Sequence, residues 1–542
     1  MTSTLYRHGV VHSPADPFAE ALLVEDGVVA WLGSDDTADG LVAGVDEVVE
    51  LDGALVAPAF VDAHVHLLET ALADAGVDLT PPSAPSLAAA LAAVAEVAAR
   101  RSPGDRRVVH GTGWDERAWP EGRPPTRDEL DAAGQGLPVY LARIDVHSAI
   151  VSSALADFAG LRDLPGWSSD GRVTGPAHHA ARDVARAVSA DERTRLYRSV
   201  LAKAAAAGIV AVHEQSAPHV DTRDGLRELL TMTADPASVL PLVVGYRGEP
   251  CITVDDARAL LADVPGLTGI GGDLNVDGSL GSRTAALRHP YTDDPSTSGV
   301  LHMTAEQIAN HVTAVTRAGT HAGFHVIGDR ALDELLIGLR AAADVEGTAA
   351  IAAAGHRVEH AAMVDAPSLA QLVLLGLRLS VQPAFDAAWG GPDGTYAARL
   401  GPGRAAALHP FADLAAAGVP LALGSDSPVT PFDPWRGVQA AAAHHEVDQR
   451  ISVRAAFRAA TRGGWRLAGL DHSGAGEVRV GAPAHLAVWR AEHLVVQASR
   501  TSSWSADARA GSPLLPDLGP DEPAPQCLRT TRAGAVLHDV LG

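Results

Sequence analysis

The rhythm of apolar and polar positions changes twice along the chain. Over residues 1–58 apolar positions come in short runs broken by turn residues, as in "EALLVEDGVVAWLG" and "VVELDGALVAP". An Asp-Gly pair between two apolar runs is a strong local hairpin signal, so both stretches predict hairpins. The same pattern returns in residues 471–542, with "GAPAHLAVWR" and "CLRTTRAGAVLHD" separated by the Pro/Gly-rich "GSPLLPDLGPDEPAPQ". A lone N-terminal hairpin has little to pack against, so the two ends together predict one small β-sandwich. Between them, residues 59–470 alternate short apolar strands with Ala-rich helical stretches. Eight strands are legible: "FVDAHVH", "GIVAVHE", "VLPLVVGY", "GGDLNVDG", "HAGFHVIG", "HRVEHA", "RLSVQP" and "PLALGSD". Eight strands, most followed by a helix, predict an α/β fold of the (β/α)8 TIM-barrel type. Residues 67–205 are too many for one barrel connection. They hold extra candidate strands ("RRVVHGTGW", "LPVYLARIDVH") and predict an insertion after barrel strand 1.

Polar residues interrupt this pattern at particular places. In "PAFVDAHVHL", His64 and His66 fall on one face of a strand, about 7 Å apart at a rise near 3.4 Å per residue. The chemistry of such barrels sits at the C-terminal strand ends. His66, His213, His325, His360 and Asp426 each close an apolar run there. Burying a polar group without a partner costs about 1–3 kcal/mol, and a shared cation removes that cost at several strand ends together. His64, His66, His325 and Asp426 make a first ligand set for a divalent metal, with zinc the best match to neutral imidazoles plus one carboxylate. Zinc brings the pKa of bound water to about 7, which points to hydrolysis of a polarised C=O or C=N bond. Asp426 would move the proton, and His360 would either bind metal or polarise the substrate carbonyl.

Composition narrows the class. The chain has 542 residues, too many for one compact core, with 42 basic against 66 acidic residues and a net charge of −24. That balance argues against a nucleic-acid partner. Cys251 and Cys527 are the only cysteines, which excludes a disulfide framework and a thiolate metal cluster, and nothing near Cys251 would activate it. No apolar run reaches spanning length; "LAAALAAVAEVAARR" is broken by Glu96, and the N-terminus lacks a signal-peptide pattern. The expectation is a cytoplasmic protein acting on a small molecule, with no membrane partner and a homodimer as the default assembly.

The motifs "PAFVDAHVHL", "GTGWDERAWPEGRPPTRDELD", "RIDVHSAIVSSAL", "DGSLGSRTAAL", "FHVIGDRALDELL", "HRVEHAAMVD", "LALGSDSPVTPFDPWRGVQAA" and "VRVGAPAHLAVW" occur in this order over nearly the whole chain. In this the chain resembles the amidohydrolase superfamily, and within it amidohydrolase family 3 (YtcJ-like and N-substituted formamide deformylase-like metal-dependent hydrolases). The resemblance implies a metal-bearing barrel with a β-sandwich from both ends. It assigns His64, His66, His325 and His360 to metal, and Asp426 to ligand and proton shuttle. It also implies hydrolysis of a non-peptide carbon–nitrogen bond in an amide, formamide or cyclic amide, with ester or lactone hydrolysis or deamination as the alternative; a non-catalytic metal-binding protein is a third reading. Many superfamily members bridge two metals with a carbamylated lysine on strand four. Here the only lysine is Lys203, before strand two, and Asp273 stands at the aligned position. One ion is therefore expected, with Asp273 or Glu214 as candidate bridges if there are two.

Further candidates are weaker. Asp277 and Arg283 follow strand four and would contact substrate, with an Arg–Asp loop pair as the alternative. His147 and Trp114 lie in the insertion and would line the pocket. His213 and Glu214 would approach or support the metal. The pairs His178–His179 and His444–His445 are expected to be solvated.

Overall fold

A computed structural model describes residues 2–541 apart from 103, 106 and 498–511, so part of the expected C-terminal β unit lies outside the described residues. Eight parallel strands form the centre: β1 (Phe60–Val65), β2 (Ile209–Ser216), β3 (Leu242–Arg247), β4 (Gly269–Asn275), β5 (His321–Val326), β6 (Arg357–His360), β7 (Arg378–Val381) and β8 (Leu421–Leu423). They pair in sequence order. The ring closes through the turn after β8, where Asp426 N–H donates to the His64 carbonyl at 2.8 Å and His66 N–H to the Ser427 carbonyl at 3.0 Å. The strands read as continuous apolar runs because a parallel barrel buries them on both faces. Phe60 at the foot of β1 packs edge-on against Trp435, Phe457 and Trp489, tying the barrel to the terminal β unit.

That unit holds two sheets. Val10–Val11 and Leu55–Pro58 from the N-terminal end share a five-stranded sheet with Leu486–Arg490, Gln526–Arg532 and Ala535–Asp539. Ser3–Arg7, Ala21–Glu25, Val28–Gly33 and Glu47–Glu50 form the other. Asp26-Gly27 turns a hairpin as expected, both residues in left-handed backbone (φ +47° and +79°). Asp52-Gly53 does not. Glu47–Glu50 pairs with Ser3–Arg7, whereas Leu55–Pro58 pairs with Val10–Val11 and Leu486–Arg490, so this turn is a corner between sheets. The local signal is the same; the partners that decide the outcome are distant in sequence.

The insertion builds a sheet of its own from Val77–Asp78, Val109–Trp114, Val139–Arg143, Ala149–Val151 and Arg172–Val173. Its helix Leu87–Ala99 is capped by Ser86 and buries Leu87, Ala90, Val94 and Ala98, one stripe at helical spacing. Among the described residues no helix is long and apolar enough to cross a membrane.

Candidate metal centre

Four imidazoles and two carboxylates converge at the C-terminal rim. His64 Nε2 and His66 Nε2 each lie 3.3 Å from Asp426 Oδ1. Asp273 Oδ2 lies 3.9 Å from His64 Nε2 and 3.6 Å from His66 Nε2. The other oxygen of the same carboxylate, Oδ1, is 3.1 Å from His325 Nδ1 and 3.6 Å from His360 Nε2. Asp273 therefore stands between two histidine pairs, one oxygen toward each.

Each histidine turns its second nitrogen to an oxygen outside the cluster. His64 Nδ1–H donates to Glu359 Oε2 (2.7 Å), His66 Nδ1–H to the Gln215 carbonyl (3.1 Å), His325 Nε2–H to the Gly278 carbonyl (3.2 Å) and His360 Nδ1–H to Gln382 Oε1 (2.8 Å). Such bonds fix the tautomer and leave a lone pair on the nitrogen facing the centre, as metal ligation requires. His64 Nε2, His360 Nε2 and Asp426 Oδ1 are buried and have no hydrogen-bond partner among the described residues. Unpartnered buried atoms from β1, β6 and the turn after β8, within 4.8 Å of one another, fit a divalent cation.

Backbone strain helps to place these groups. His360 (φ +70°), Ala361 (+45°) and Asp426 (+55°) occupy the left-handed region that costs side-chain-bearing residues energy. On β4, Gly271 (φ +121°) and Gly272 (φ +72°) make a bulge at which the pairing with β5 shifts between Ile270 and Leu274. A Cβ on Gly271 would sit 2.3 Å from the Gly323 carbonyl oxygen, so glycine is required for this approach and for presenting Asp273. Burial raises Asp273, but the imidazoles of His325 and His64 outweigh it and hold the carboxyl well below its ordinary range.

Behind His64 lies an ion pair that sequence reading missed. Arg357 and Glu359, both fully buried, project from β6 and bond to each other. Arg357 also donates to the Ala63 carbonyl (2.9 Å) and lies over the Tyr246 ring (4.4 Å). Burial raises Glu359, yet Arg357 and His64 hold it ionised. Their signal in "HRVEHA" is an Arg and a Glu two residues apart, hence on one face of a strand inside an apolar barrel.

The remaining candidates fall in various places. His213 points into the barrel, with Nδ1 accepting from Arg357 Nη1 at 3.1 Å, one layer from the cluster. Glu214 accepts from Leu67 N–H at 2.7 Å, holding the chain that follows His66, and burial pushes it up to about 7. Its other oxygen, Oε1, is buried and has no hydrogen-bond partner among the described residues. Lys203 pairs with Asp74 at 2.6 Å, away from strand four. His147 lines the cavity with its ring 5.2 Å from that of His325.

Three of the candidate substrate contacts are engaged elsewhere. Asp277 is buried and accepts from the N–H groups of Ala286, Ile327 and Gly328, which pins the loop after β4 and leaves no oxygen for substrate. Arg283 forks onto Asp293 at 3.1 and 2.8 Å and locks the same loop. Trp114 is buried in the insertion, its indole N–H bonded to the Leu141 carbonyl at 2.9 Å. Two of the histidines expected in solvent are buried: His178 bonds to the Tyr140 hydroxyl (2.8 Å), and His444 packs edge-on against Phe411. The motif around Trp114 has a structural use. Arg143 binds Asp115, Glu116 and Asp145, Arg399 binds Glu116 and Asp293, and Ser279 and Ser282 bond to Asp145, so the insertion is clamped to the loop after β4 beside His147.

A parallel (β/α)8 barrel with a histidine–aspartate cluster on its catalytic rim defines a metal-dependent hydrolase. The chain belongs to the amidohydrolase family, whose profile matches residues 47–536. It is 26% identical over 442 residues to YtcJ of Bacillus subtilis, covering 78% of this chain and 80% of that one. It is 23% identical over 472 residues to N-substituted formamide deformylase of Arthrobacter pascens, covering 81% and 84%. Among solved structures, a metal-dependent hydrolase of Pyrococcus horikoshii superposes with a TM-score of 0.70 at 26% identity, over 90% of this chain and 97% of that one.

Proposed function

We propose that the protein hydrolyses a non-peptide carbon–nitrogen bond of a small molecule, an amide, formamide or cyclic amide, with two divalent ions held in one cluster. The observation that carries this reading is Asp273, whose two oxygens face different histidine pairs. A donor set of neutral imidazoles and carboxylates favours zinc. His64 and His66 would hold one ion and His325 and His360 the other, with Asp273 shared; Asp426, 3.3 Å from both His64 and His66 and grouped with His64 and His360, would add a carboxylate. This reading departs from the single ion expected from the missing lysine: the Asp273 carboxylate would take the place of the carbamate. Bound ions supply Lewis acidity, which acidifies water and polarises a carbonyl.

The chain's own groups do the rest. The Asp426 carboxylate, whose Oδ1 faces His64 and His66, accepts a proton from the attacking water on its other oxygen as the C–O bond forms. It then passes that proton to the nitrogen as the C–N bond breaks, so no net proton is lost or gained. His147 makes no hydrogen bond among the described residues and borders the cavity beside His325, placing a donor for the substrate carbonyl oxygen. The likeness to a formamide deformylase supports a carbon–nitrogen bond as the target. The test is elemental mass spectrometry of the full chain beside a panel of matched amides and esters. About two ions per chain, falling to one or none in Asp273→Ala, with amides hydrolysed and esters not, is the expected result. Two ions with esters alone hydrolysed would overturn the bond assignment, and an unchanged metal content in Asp273→Ala would overturn the shared ligand.

A further inference from the structure

The stretch "GPAHHAARDVARAV" of the insertion is absorbed by none of the chemistry above. It opens with the helix Gly175–Ala185, which carries a proline in its first turn. Ala177, Ala181 and Ala185 pack into the insertion. Gly175, His178, His179 and Arg182 fall at helical spacing on another face and line the cavity of about 540 Å³ that the metal cluster borders. Among the described residues lining it, Arg182 alone carries a fixed positive charge, and the carboxylates are Asp273 and Asp426, both part of the cluster. In a chain with 66 acidic against 42 basic residues, a wall with a guanidinium and no free acid is a local reversal of charge.

The pairing of Arg182 is incomplete. Arg182 Nη2 and Arg186 Nη2 converge on one carboxylate, that of the buried Glu69. One carboxylate cannot neutralise two guanidiniums. Arg186 also donates to the His219 carbonyl, whereas Arg182 has no hydrogen bond but that to Glu69 among the described residues, and its Nε is buried without a partner. Arg143, which clamps the insertion, is matched differently: it meets Asp115, Glu116 and Asp145. Burial works against both charges. At Arg143 the three carboxylates outweigh it and raise the pKa; at Arg182 burial prevails and lowers it. Glu69 lies three residues after His66, in the first turn of the helix Leu67–Ala75, so the guanidinium is tied to the strand that carries His64 and His66.

We infer that Arg182 binds a carboxylate of the substrate, so that the molecule hydrolysed is an amide bearing an anionic group. The inference deepens the hydrolase reading and rests on it for the word substrate; the binding it describes is measured apart from turnover. A guanidinium presents its N–H donors in a planar fork, and those that Glu69 does not engage suit a two-oxygen ligand. A counter-ion brought by the ligand completes a charge that the protein leaves partly unpaired.

Levulinate and acetonylacetone are the probes. Both are short ketones with no C–N or ester bond to hydrolyse, and a methyl ketone in the second replaces the carboxylate of the first. They are titrated into the zinc-loaded full chain by calorimetry. Levulinate is expected to bind about tenfold more tightly than acetonylacetone to the native protein. In Arg182→Met the ratio is expected to fall to about twofold to threefold, since bound ions alone still attract the anion. Equal affinities in the native protein would overturn the subsite. So would an unchanged ratio in Arg182→Met, which would assign the carboxylate to the ions. Should that variant not fold, a crystal structure of the native protein with levulinate decides: its carboxylate on Arg182 supports the subsite, and its carboxylate on the ions, or nowhere in the cavity, overturns it. If amides are hydrolysed while the probes bind alike, the subsite fails and the hydrolase reading stands. If the preference holds and no amide or ester is hydrolysed, the hydrolase reading fails and the subsite stands.

Discussion

Replacing Glu359 by alanine withdraws one carboxylate from two partners. Its Oε1 accepts from Arg357 Nε, and its Oε2 accepts from His64 Nδ1 at 2.7 Å. Arg357 would keep the Ala63 carbonyl, His213 and the face of Tyr246 but lose the one anion it pairs with among the described residues. Stranding one charge of a buried pair costs about 3–5 kcal/mol. His64 would lose the acceptor that fixes its tautomer, a loss that typically weakens metal binding about 10–100-fold. The two effects separate in a double variant. Arg357→Met with Glu359→Leu removes the pair as a unit, and such replacements are often close to neutral in stability. Its urea midpoint should therefore recover toward the native value, while zinc affinity stays about 10–100-fold down because His64 still lacks its acceptor. Stability is read from tryptophan fluorescence of chelated protein, and affinity by competition with a chromophoric chelator. Native zinc affinity in the double variant would refute the argument that Glu359 sets the imidazole.

Two other predictions follow from groups outside the cluster. His311 and His356 are buried and neutral: His311 accepts from Cys251 N–H (3.0 Å) and donates to the Ile270 carbonyl (3.1 Å), and His356 accepts from Ala322 N–H (2.9 Å). Burial lowers them to about 4 and about 3. A depressed histidine means the unfolded chain binds the proton first, so stability is full above about pH 6.5 and declines as pH falls toward 4. In His311→Gln the urea midpoint at pH 7.5 should drop, with a shallower decline below 6.5; an unchanged slope would show that His311 does not carry the effect. Gly271→Ala would drive a Cβ against the Gly323 backbone in a conformation only glycine takes freely. It should cost about 2 kcal/mol or more and lower the metal content, since Asp273 follows two residues later; both are read by the same two assays.

The eight strands were legible because burial on two faces writes uninterrupted apolar runs. The rim residues were legible because each breaks such a run. What stayed hidden depends on pairs far apart in sequence. Nothing in "VVELDGALVAP" tells that its two strands enter different sheets, because their partners include residues 486–490. Arg283 and Asp277 sit on the right loop, but only the positions of Asp293 and of the Ile327 and Gly328 amides reveal them as pins.

Asp273 stands where the resemblance to the amidohydrolase superfamily would place a strand-four lysine, and that difference is also a matter of reach. A carboxylate on one methylene extends far less than a carbamate on a lysine stem, so the backbone itself has to come to the rim. The Gly271-Gly272 bulge, which closes on Gly323, performs that displacement. Aspartate and bulge are then one device, and the longer side chain should not fit where the shorter one does. Asp273→Lys, supplied with bicarbonate to form the carbamate, should therefore hold fewer than two zinc ions per chain by elemental analysis. Recovery of two ions in that variant would show that the bulge leaves room for either bridge, and that the aspartate owes nothing to the glycines beside it.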